Sequence, residues 1–396
     1  MKRLALLLLA VAVLLPAAAS AQLTMQMSNG WSFSFAGNVN AFWVFTKRNS
    51  SGGVDSNTAN SSVRTGLLPA FATFEAKGKE AGMNLSVHFG FAPQIQNAGV
   101  HDQFDVQSGA AIDMRQVYLT VGGQWGQILA GRELGLFSRQ NILNDMTLFG
   151  VGAVGIGGGQ GGGTTLGRIG YGYLYPNFDA QLTYSTKAGQ PGQLSIGAFQ
   201  PSTLGSGGYT ITKIPRLEAE FTYNQKSGTN KYMFWAGGLW QSTSNAPTGG
   251  QTVSSVGGTA GIRGDFSDLS IVVSGYIGKG LGTTLLFSGG EVSPGAGSTN
   301  LRSSDGGYVQ LGYTLNKKTT LGASWGFSRL KNNQTGDGNT AVRSNLYDYT
   351  LGIYHQWTKS LKLVFEGSQE GTTGVIGGLA PGTKQTDVSG GFMLFF

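Results

Sequence analysis

The sequence predicts an all-β fold, a transmembrane antiparallel β-barrel of 16 strands, with 18 strands as the second choice. Three observations support this: apolar and polar residues alternate from residue 31 onward, charge is scarce, and no helical spacing is sustained. Charged residues make up 12% of the chain and glycine accounts for 66 of 396 residues, against roughly a quarter charged and about 7% glycine in soluble domains. Apolar residues dispersed one at a time suit strands with one face toward lipid.

The N-terminus predicts export. Two basic residues at positions 2 and 3 precede an apolar run over residues 4–15, and Ala19 and Ala21 occupy the small-residue positions of a cleavage site. The apolar run is too short to span a bilayer, so we expect a signal peptide over residues 1–21 and a single barrel domain over residues 22–396. Removing the peptide lowers the formal charge from +7 to +5. No cysteine is present, so disulfides do not stabilise the exported chain.

The stretch from Trp31 to Phe45 shows the alternation clearly. Its odd-numbered positions are apolar or glycine, and its even-numbered positions are mostly Ser and Asn until Phe42. Such a pattern is a strand with one apolar and one polar face. Similar patterns begin near residues 31, 69, 82, 112, 126, 166, 178, 193, 214, 230, 253, 269, 304, 319, 343, 361 and 383, which makes 17 segments. A single-chain barrel needs an even number, so we expect one segment in 166–213 to be spurious or continuous with its neighbour.

The connections also alternate in length. Short turns are predicted at Phe266–Asp268, Asn316–Lys318 and Thr358–Ser360, and long Gly/Ser/Asn-rich stretches at 279–304, 331–343 and 371–382. Short periplasmic turns and long extracellular loops are typical of outer-membrane barrels. A soluble β-sandwich or β-helix also alternates, but its outer faces would carry more charge than this chain has.

If the apolar faces meet lipid, the polar faces line the interior. Side chains cannot fill a barrel of 16 strands, so we expect a water-filled lumen. The charged or titratable candidates for the pore wall are Glu75, Lys77, His88, Arg168, Glu218, Glu220, Asp348, Lys362 and Glu366. For each of them, the simpler role is an ion pair or hydrogen bond within the wall.

Two stretches carry a family resemblance. MRQVYLTVGGQWGQILAGRELG, residues 114–135, and RIGYGYLYPNF, residues 168–178, resemble the strands that flank the third loop in Gram-negative general porins. The resemblance implies a trimeric outer-membrane porin of 16 strands, whose third loop, at about 133–165, folds inward and constricts the pore. It assigns Arg132, Glu133, Arg139 and Asp145 to the constriction. Alternation alone does not decide whether Arg132 faces the lumen or the lipid, since the apolar residues Ile128 and Ala130 lie on the same face of the strand.

The chain ends in an alternating strand. Phe392, Leu394 and Phe396 share the row that would face lipid, and the segment is predicted to close the barrel against the strand at Trp31, which leaves no open edge. A terminal aromatic also resembles the signal by which barrel-assembly machinery recognises its clients, so these three residues are the predicted assembly signal.

Other classes of function find little support in the sequence. A hydrolase needs a base near its nucleophile, yet His88, His101 and His355 have no glycine-flanked Ser nearby. The tract at 157–162 fits G-x-G-x-x-G but lacks the strand and helix of a dinucleotide site, and no phosphate-loop lysine follows. No Cys/His cluster has metal-ligand spacing, and the basic residues are scattered rather than arranged for nucleic acid. We therefore expect no enzymatic activity, cofactor or metal.

The predicted function is a channel for passive diffusion of small hydrophilic solutes and ions. A closer alternative is an anion-biased channel, because excess cations concentrate anions if they line a narrow pore. If many of these cations lie on loops instead, they would bind the phosphates of lipopolysaccharide. Outer-membrane lipid and lipopolysaccharide are therefore predicted partners. A structural or hydrolytic barrel without a channel remains the third alternative.

Overall fold

The computed structural model describes residues 23–28, 30–49, 58–95, 112–156, 163–204, 208–246, 250–288, 290, 292, 301–331, 344–374 and 381–396. The predicted signal peptide, His101 and the glycine tract at 157–162 lie outside these residues. The strands are β1 (Leu23–Gln26), β2 (Ser32–Asn49), β3 (Thr58–Arg64), β4 (Phe71–Glu80), β5 (Met83–Pro93), β6 (Ile112–Gly123), β7 (Gly126–Leu134), β8 (Phe178–Ser185), β9 (Gly192–Phe199), β10 (Arg216–Ser227), β11 (Asn230–Ser244), β12 (Thr252–Phe266), β13 (Leu269–Lys279), β14 (Ser303–Leu315), β15 (Thr319–Lys331), β16 (Ser344–Gln356), β17 (Leu361–Thr372) and β18 (Lys384–Phe395). Helix α1 spans Arg139–Leu143 and a 3-10 helix spans Met146–Phe149. Within the described ranges, no helix has the length and apolar character needed to cross a membrane.

These strands form a closed antiparallel barrel with 16 positions. β2 pairs with β18 from Asn38 opposite Phe395 to Asn49 opposite Lys384, which closes the ring. β3 and β4 both pair with the other side of β2, one above the other, and therefore share a position. β1 pairs with β2 on the side that β18 occupies further along. The predicted barrel of 16 strands is confirmed.

Alternate side chains face lipid and lumen, as the period of two requires. On β16, Tyr349, Leu351 and Ile353 are 52%, 67% and 46% exposed. Asp348 and Thr350, on the opposite row, are 0% and 1% exposed. The apolar row faces outward, so the outer surface of the barrel is apolar in its middle.

Tight turns close one end of the barrel. Asn316 and Lys317 have φ of 51° and 57°, the left-handed pair of a type I′ hairpin that matches the twist of the strands. Ala81 and Gly82 adopt the same pair of conformations, with φ of 46° and 78°. The long connections all lie at the other end, in agreement with the predicted arrangement of turns and loops.

The predicted segment at 166 is not a strand. Residues 135–156 and 163–177 instead belong to one long connection between β7 and β8 and lie inside the barrel, and we call them the inward loop. Ile169, Tyr171 and Tyr173 are at most 5% exposed within it. Their alternation with glycine and arginine arises because they pack inside the barrel, not because they face lipid. The inward loop is therefore longer than the predicted stretch of about 133–165.

The chain end is tied into the wall. The Phe396 N–H donates to the Gly37 carbonyl at 3.0 Å, and the Gly37 N–H donates to the Phe396 carbonyl at 2.8 Å. The Phe396 ring lies 4.9 Å from that of Phe35. Phe392 and Leu394 are 56% and 48% exposed on the outward row of β18. The final residues thus form the seam of the barrel.

Candidate functional site

The inward loop begins at a carboxylate of the wall. Leu136 and Phe137 donate their backbone N–H groups to Glu218 Oε2 on β10, at 2.8 and 2.9 Å. One turn further, Arg139 Nη2 lies 2.5 Å from Glu220 Oε1 on the same strand. Charge-assisted hydrogen bonds of this kind are about twice as strong as neutral ones, so β10 holds the first turn of the loop.

Helix α1 packs against the middle of the barrel through Asn141, which is fully buried. Its Nδ2 donates to Thr259 Oγ1 at 2.9 Å, and its Oδ1 accepts from Trp235 Nε1 at 2.8 Å. Its backbone carbonyl accepts from the Tyr308 hydroxyl at 2.8 Å. A single residue, through its side-chain amide and its backbone carbonyl, thus joins three strands of the wall, β11, β12 and β14, to the loop.

The 3-10 helix is the part of the loop nearest the short turns. Its first residue, Met146, donates its N–H to Gln310 Oε1 at 2.6 Å. Its last residue, Phe149, has Lys362 Nζ 4.1 Å from the ring centroid and packs near Phe395. A cation above an aromatic face is attractive, so this contact covers Lys362 with the loop.

Two glutamates of β17 hold the next segment by its backbone. Glu366 Oε2 accepts from the N–H groups of Val151 and Gly152 at 2.6 and 2.8 Å. Glu370 Oε1 accepts from those of Val154 and Gly155 at 2.7 and 3.0 Å. Each carboxylate therefore binds two backbone donors of the loop, as Glu218 does at its start.

The returning half of the loop is held by a buried ion pair. Arg168, which is fully buried, lies 3.3 Å from Asp348 Oδ2 and donates from Nε to Ser324 Oγ at 3.0 Å. Within the loop, the Tyr173 hydroxyl donates to Asp145 Oδ2 at 2.8 Å. Burial raises the pKa of Asp145, while Arg168 and the hydrogen bonds from Thr147 and Tyr173 oppose the rise.

The inward loop therefore lies mainly on one side of the barrel. Beyond β10–β18 it contacts β3, where Arg64 Nη2 donates to the Gly163 and Thr164 carbonyls at 3.1 and 3.0 Å. We call β10–β18 the loop-bearing wall and β4–β9 the loop-free wall, which the loop touches near its end, where Arg115 Nη1 of β6 donates to the Tyr175 hydroxyl at 3.4 Å.

On the loop-free wall, Lys77 Nζ and Glu75 Oε2 form an ion pair at 2.5 Å, with side chains 30% and 17% exposed. The rings of His88 and Tyr118 stack there with centroids 4.8 Å apart. Charged side chains on this wall keep contact with the lumen.

Three partly exposed cations in the lumen are paired with carboxylates. Besides Glu75 and Lys77, Arg263 Nε lies 3.0 Å from Asp265 Oδ1, with side chains 30% and 28% exposed. Arg139 is 22% exposed beside Glu220. Each of these three cations has a carboxylate at hydrogen-bonding distance, which reduces the field that it projects into the lumen.

Two of the predicted site residues are placed differently by the structure. Arg132 is exposed on the outward row of β7, in the same row as Ile128, so it does not face the lumen. Its parity with Ile128 and Ala130 was the signal for this orientation. Arg168 belongs to the inward loop and not to a wall strand.

The remaining predicted residues all lie inside the barrel. Glu133 is 6% exposed at the end of β7, where Gln116 donates to its Oε2 at 2.7 Å. Arg139 and Asp145 lie in the loop. Glu218, Glu220, Asp348, Lys362 and Glu366 lie beneath the loop, and Glu75, Lys77 and His88 lie on the loop-free wall. The structure thus separates the predicted wall charges into one group beneath the loop and one group on the loop-free wall.

Several residues that position the loop were missed, above all Glu370, Asn141, Trp235 and Gln310. Glu370 carried a usable signal, since it lies four residues after Glu366 on the same inward face of a strand. The other three are neutral, and nothing local distinguishes them from ordinary wall residues. Among the described residues, no group of three or more His, Asp or Glu side chains is arranged to hold a metal ion.

Comparison with known proteins agrees with this architecture. The family model for Gram-negative porins matches residues 7–374. No curated protein matches the sequence significantly.

Among solved structures, the chain is similar to an anion-selective porin from Comamonas acidovorans, with a TM-score of 0.64, 13% identity and coverage of 92% of this chain and 100% of that one. It is similar to the outer-membrane channel DcaP of Acinetobacter baumannii, with a TM-score of 0.64, 14% identity and coverage of 94% and 99%. A trimer form of OmpT from Vibrio cholerae matches with a TM-score of 0.53, 16% identity and coverage of 93% and 100%. The chain belongs to the Gram-negative porin family and forms a solute-diffusion channel in the bacterial outer membrane.

Proposed function

We propose that small hydrophilic solutes and ions cross this porin between the inward loop and the loop-free wall. The observation that carries the proposal is the one-sided attachment of the loop, through Glu218, Asn141, Glu366, Glu370 and Arg168. Those contacts all run to β10–β17. The charged groups of β4 and β5 stay partly exposed on the opposite side, where solutes would meet them.

We further propose that charge selectivity is weak. Three partly exposed cations have carboxylate partners at 3.0 Å or less, so neither sign dominates the lumen that these residues line. The anion-biased alternative rests on the mature charge of +5, to which cations away from the lumen also contribute: Arg132 faces outward and Arg168 is buried. The likeness to an anion-selective porin, at 13% identity, supports the fold and not the selectivity.

Reconstitution in planar bilayers tests both parts. We expect ohmic conductance steps and a reversal potential near zero in a KCl gradient. A strong anion preference would favour the alternative, and the absence of steps would contradict a channel. Steps in groups of three would support the homotrimer that the family resemblance and the trimeric OmpT favour.

We propose no catalytic role for the barrel. His88 hydrogen-bonds to Gln116 at 3.3 Å and His355 to Thr319 at 2.8 Å, and the described contacts include no Ser–His pair. Incubation of the purified porin with lipid and peptide substrates is expected to yield no turnover above buffer. Turnover that disappears on substitution of either histidine would contradict this proposal.

We also propose that residues 1–21 are a cleaved signal peptide and that Phe392, Leu394 and Phe396 form the signal for the barrel-assembly machinery. The reciprocal hydrogen bonds between Phe396 and Gly37 support a role of the last residue in closure. Deleting Phe396 should lower the amount of barrel in the outer membrane, while barrels that do assemble keep their conductance. Normal assembly of the deletion variant would contradict the assignment.

A further inference from the structure

Two clusters of buried apolar side chains lie between the inward loop and the wall of the barrel. In one of them, Val151 of the loop belongs to the same cluster as Val364 of β17. In the other, Ile142 of helix α1 belongs to the same cluster as Trp235 of β11. Both clusters are inside the barrel, so a side chain at their edge that is not fully buried faces the water of the lumen.

Five apolar side chains lie at the edges of these clusters and are partly exposed. They are Leu68, Leu143, Met146, Phe149 and Leu166, and we call them the apolar face. Four of them belong to the inward loop, and Leu68 lies beside it in the connection between β3 and β4. Among the described residues of the loop, Arg139 is the one charged side chain that stays partly exposed, and it is paired with Glu220. The loop therefore presents a mostly apolar surface to the lumen.

The apolar face lies at the same level as the polar groups of the loop-free wall. The Met146 N–H bonds to Gln310, which is five residues from the end of β14 at a short turn. Glu75, His88 and Tyr118 are opposite one another in the register and are likewise five residues from the short-turn ends of β4, β5 and β6. Equal residue counts give similar heights because strands rise by about 3.3 Å per residue. A solute at this level has an apolar surface on one side and polar groups on the other.

We propose that this pore favours zwitterionic amino acids with apolar side chains over polar solutes of the same size. The inference rests on the proposed path between the inward loop and the loop-free wall. Glu75 and Lys77, with side chains 17% and 30% exposed, present a carboxylate and an ammonium group side by side. A zwitterion complements both charges, with its ammonium toward Glu75 and its carboxylate toward Lys77. Its apolar side chain then lies against Leu143 and Met146.

A zwitterion suits this surface better than the other classes of small solute. A cation that is attracted by Glu75 is repelled by Lys77, and an anion meets the reverse, so the ion pair gives a single charge little net attraction. A sugar has no charges for the pair, and its hydroxyl groups would lose hydrogen bonds to water beside the apolar face. An aliphatic side chain instead gains when it leaves water there.

The preference can be measured as the initial uptake of leucine and of asparagine into liposomes that contain the purified full-length porin. The two zwitterions have the same number of non-hydrogen atoms and the same charges, so neither property favours leucine. Leucine should enter about three-fold faster, as expected if roughly 25 Å² of apolar surface leaves water at the constriction. Leu143→Asn keeps the branched shape of the side chain but makes it polar, and should lower this ratio toward one. The matched control Leu143→Met keeps the face apolar and should retain the ratio.

A second variant tests the ion pair. Glu75→Gln/Lys77→Gln removes both charges and leaves the net charge of the wall unchanged. It should lower leucine uptake about two-fold, which is within the range for an exposed ion pair. Uptake of N-acetylleucine should stay the same, because this anion lacks the ammonium group and gains little net attraction from the intact pair.

The KCl conductance of each variant in planar bilayers separates this inference from the proposed solute path. Equal uptake of leucine and asparagine through a pore that conducts KCl would overturn the preference and leave the path intact. A parent chain without KCl conductance would contradict the path and the preference together. A three-fold ratio that persists in Leu143→Asn would exclude the apolar face as its cause. Equal leucine uptake by the double variant and the parent chain would remove the ion pair from the site.

Discussion

The loop-bearing and loop-free walls use the same residue types for different purposes. Glu366 and Glu370 on the first are 5% and 0% exposed and bind backbone N–H groups of the inward loop. Glu75 on the second is paired with Lys77 and stays partly open to the lumen. A wall carboxylate that lies beneath the loop therefore holds the loop in place. A carboxylate on the opposite wall faces the lumen.

The difference has an energetic basis. A buried charge without a partner costs several kcal/mol, so carboxylates beneath the loop stabilise its docked position only while they keep their donors. An exposed ion pair contributes about 0–1 kcal/mol. Substitutions on the loop-bearing wall should therefore change the shape of the pore, and substitutions on the loop-free wall should change only its charge.

The largest effect is expected for Arg168→Leu, which leaves Asp348 buried without its cation. Removing one partner of a buried pair typically costs about 3–5 kcal/mol, which should undock the returning half of the loop. Hydrogen exchange over residues 163–177 is expected to accelerate, and single-channel noise to rise. The double variant Arg168→Leu/Asp348→Leu should recover part of the loss. An unchanged exchange rate in the single variant would show that this ion pair does not hold the loop.

A smaller effect is expected when the carboxylate of Glu366 is removed. Glu366→Ala releases two loop N–H groups and the Tyr354 hydroxyl, which bonds its Oε1 at 2.5 Å. Hydrogen bonds to a charged group contribute about 1.5–3 kcal/mol each. Hydration of the freed N–H groups offsets part of this loss. Mean conductance should fall because the loop moves off β17 and into the space between the loop and the loop-free wall. Glu75→Ala is the matched control, and an equal fall in conductance in both variants would erase the distinction between the walls.

Gly150 offers a second way to disturb the same contact. A Cβ at this position would lie 2.0 Å from Glu366 Oε1, so Gly150→Ala must displace either the loop or the carboxylate. Its conductance should shift in the same direction as that of Glu366→Ala. Gly163→Ala is a poor control because of its positive φ of 86°, whereas Gly367→Ala adds a Cβ with open space around it outside the barrel. Identical conductance of Gly150→Ala and the parent chain would contradict the close approach.

On the loop-free wall, single charge changes should alter selectivity and leave conductance nearly constant. Glu75→Gln unpairs Lys77 and should shift the reversal potential toward anions. Lys77→Gln should shift it toward cations. The effect on the permeability ratio should be on the order of two-fold, because one exposed charge in water contributes less than about 1 kcal/mol and is screened by salt. Shifts of the same sign in both variants would contradict a lumenal position for this pair.

The smallest effect is expected for Arg132→Gln. The side chain lies on the outward row of β7, so neither conductance nor selectivity should change measurably in a bilayer recording. A change in the conductance or the selectivity of this variant would instead support a position of Arg132 in the constriction, as the family resemblance implies.

How much the sequence could predict depends on which interactions are local. Most predicted strand starts agree with the structure within about two residues, because the period of two and the turn residues are local properties. The segment at 166 failed because Tyr171 and Tyr173 alternate equally well when they pack inside the barrel. β3 was missed as a separate strand, because only six residues separate its end from β4.

The roles of the wall charges could not be predicted in the same way. Glu75 and Glu366 both lie on inward faces, and only the path of the inward loop distinguishes them. That path depends on contacts between residues more than 200 positions apart, such as Val151 with Glu366. No local sequence pattern predicts such contacts. A polar residue in an alternating strand therefore indicates that the side chain points inward, but it does not indicate whether the loop covers that side chain.

Cysteine labelling tests the central claim most directly, because the chain has no cysteine of its own. Thr73 on β4 and Thr350 on β16 both lie on inward rows near mid-strand, and Thr350 is only 1% exposed. A charged thiol reagent applied during bilayer recording should react with Thr73→Cys and reduce its conductance, while Thr350→Cys stays unlabelled beneath the loop. Rapid labelling of Thr350→Cys with an unreactive Thr73→Cys would place the solute path on the opposite wall and contradict the account.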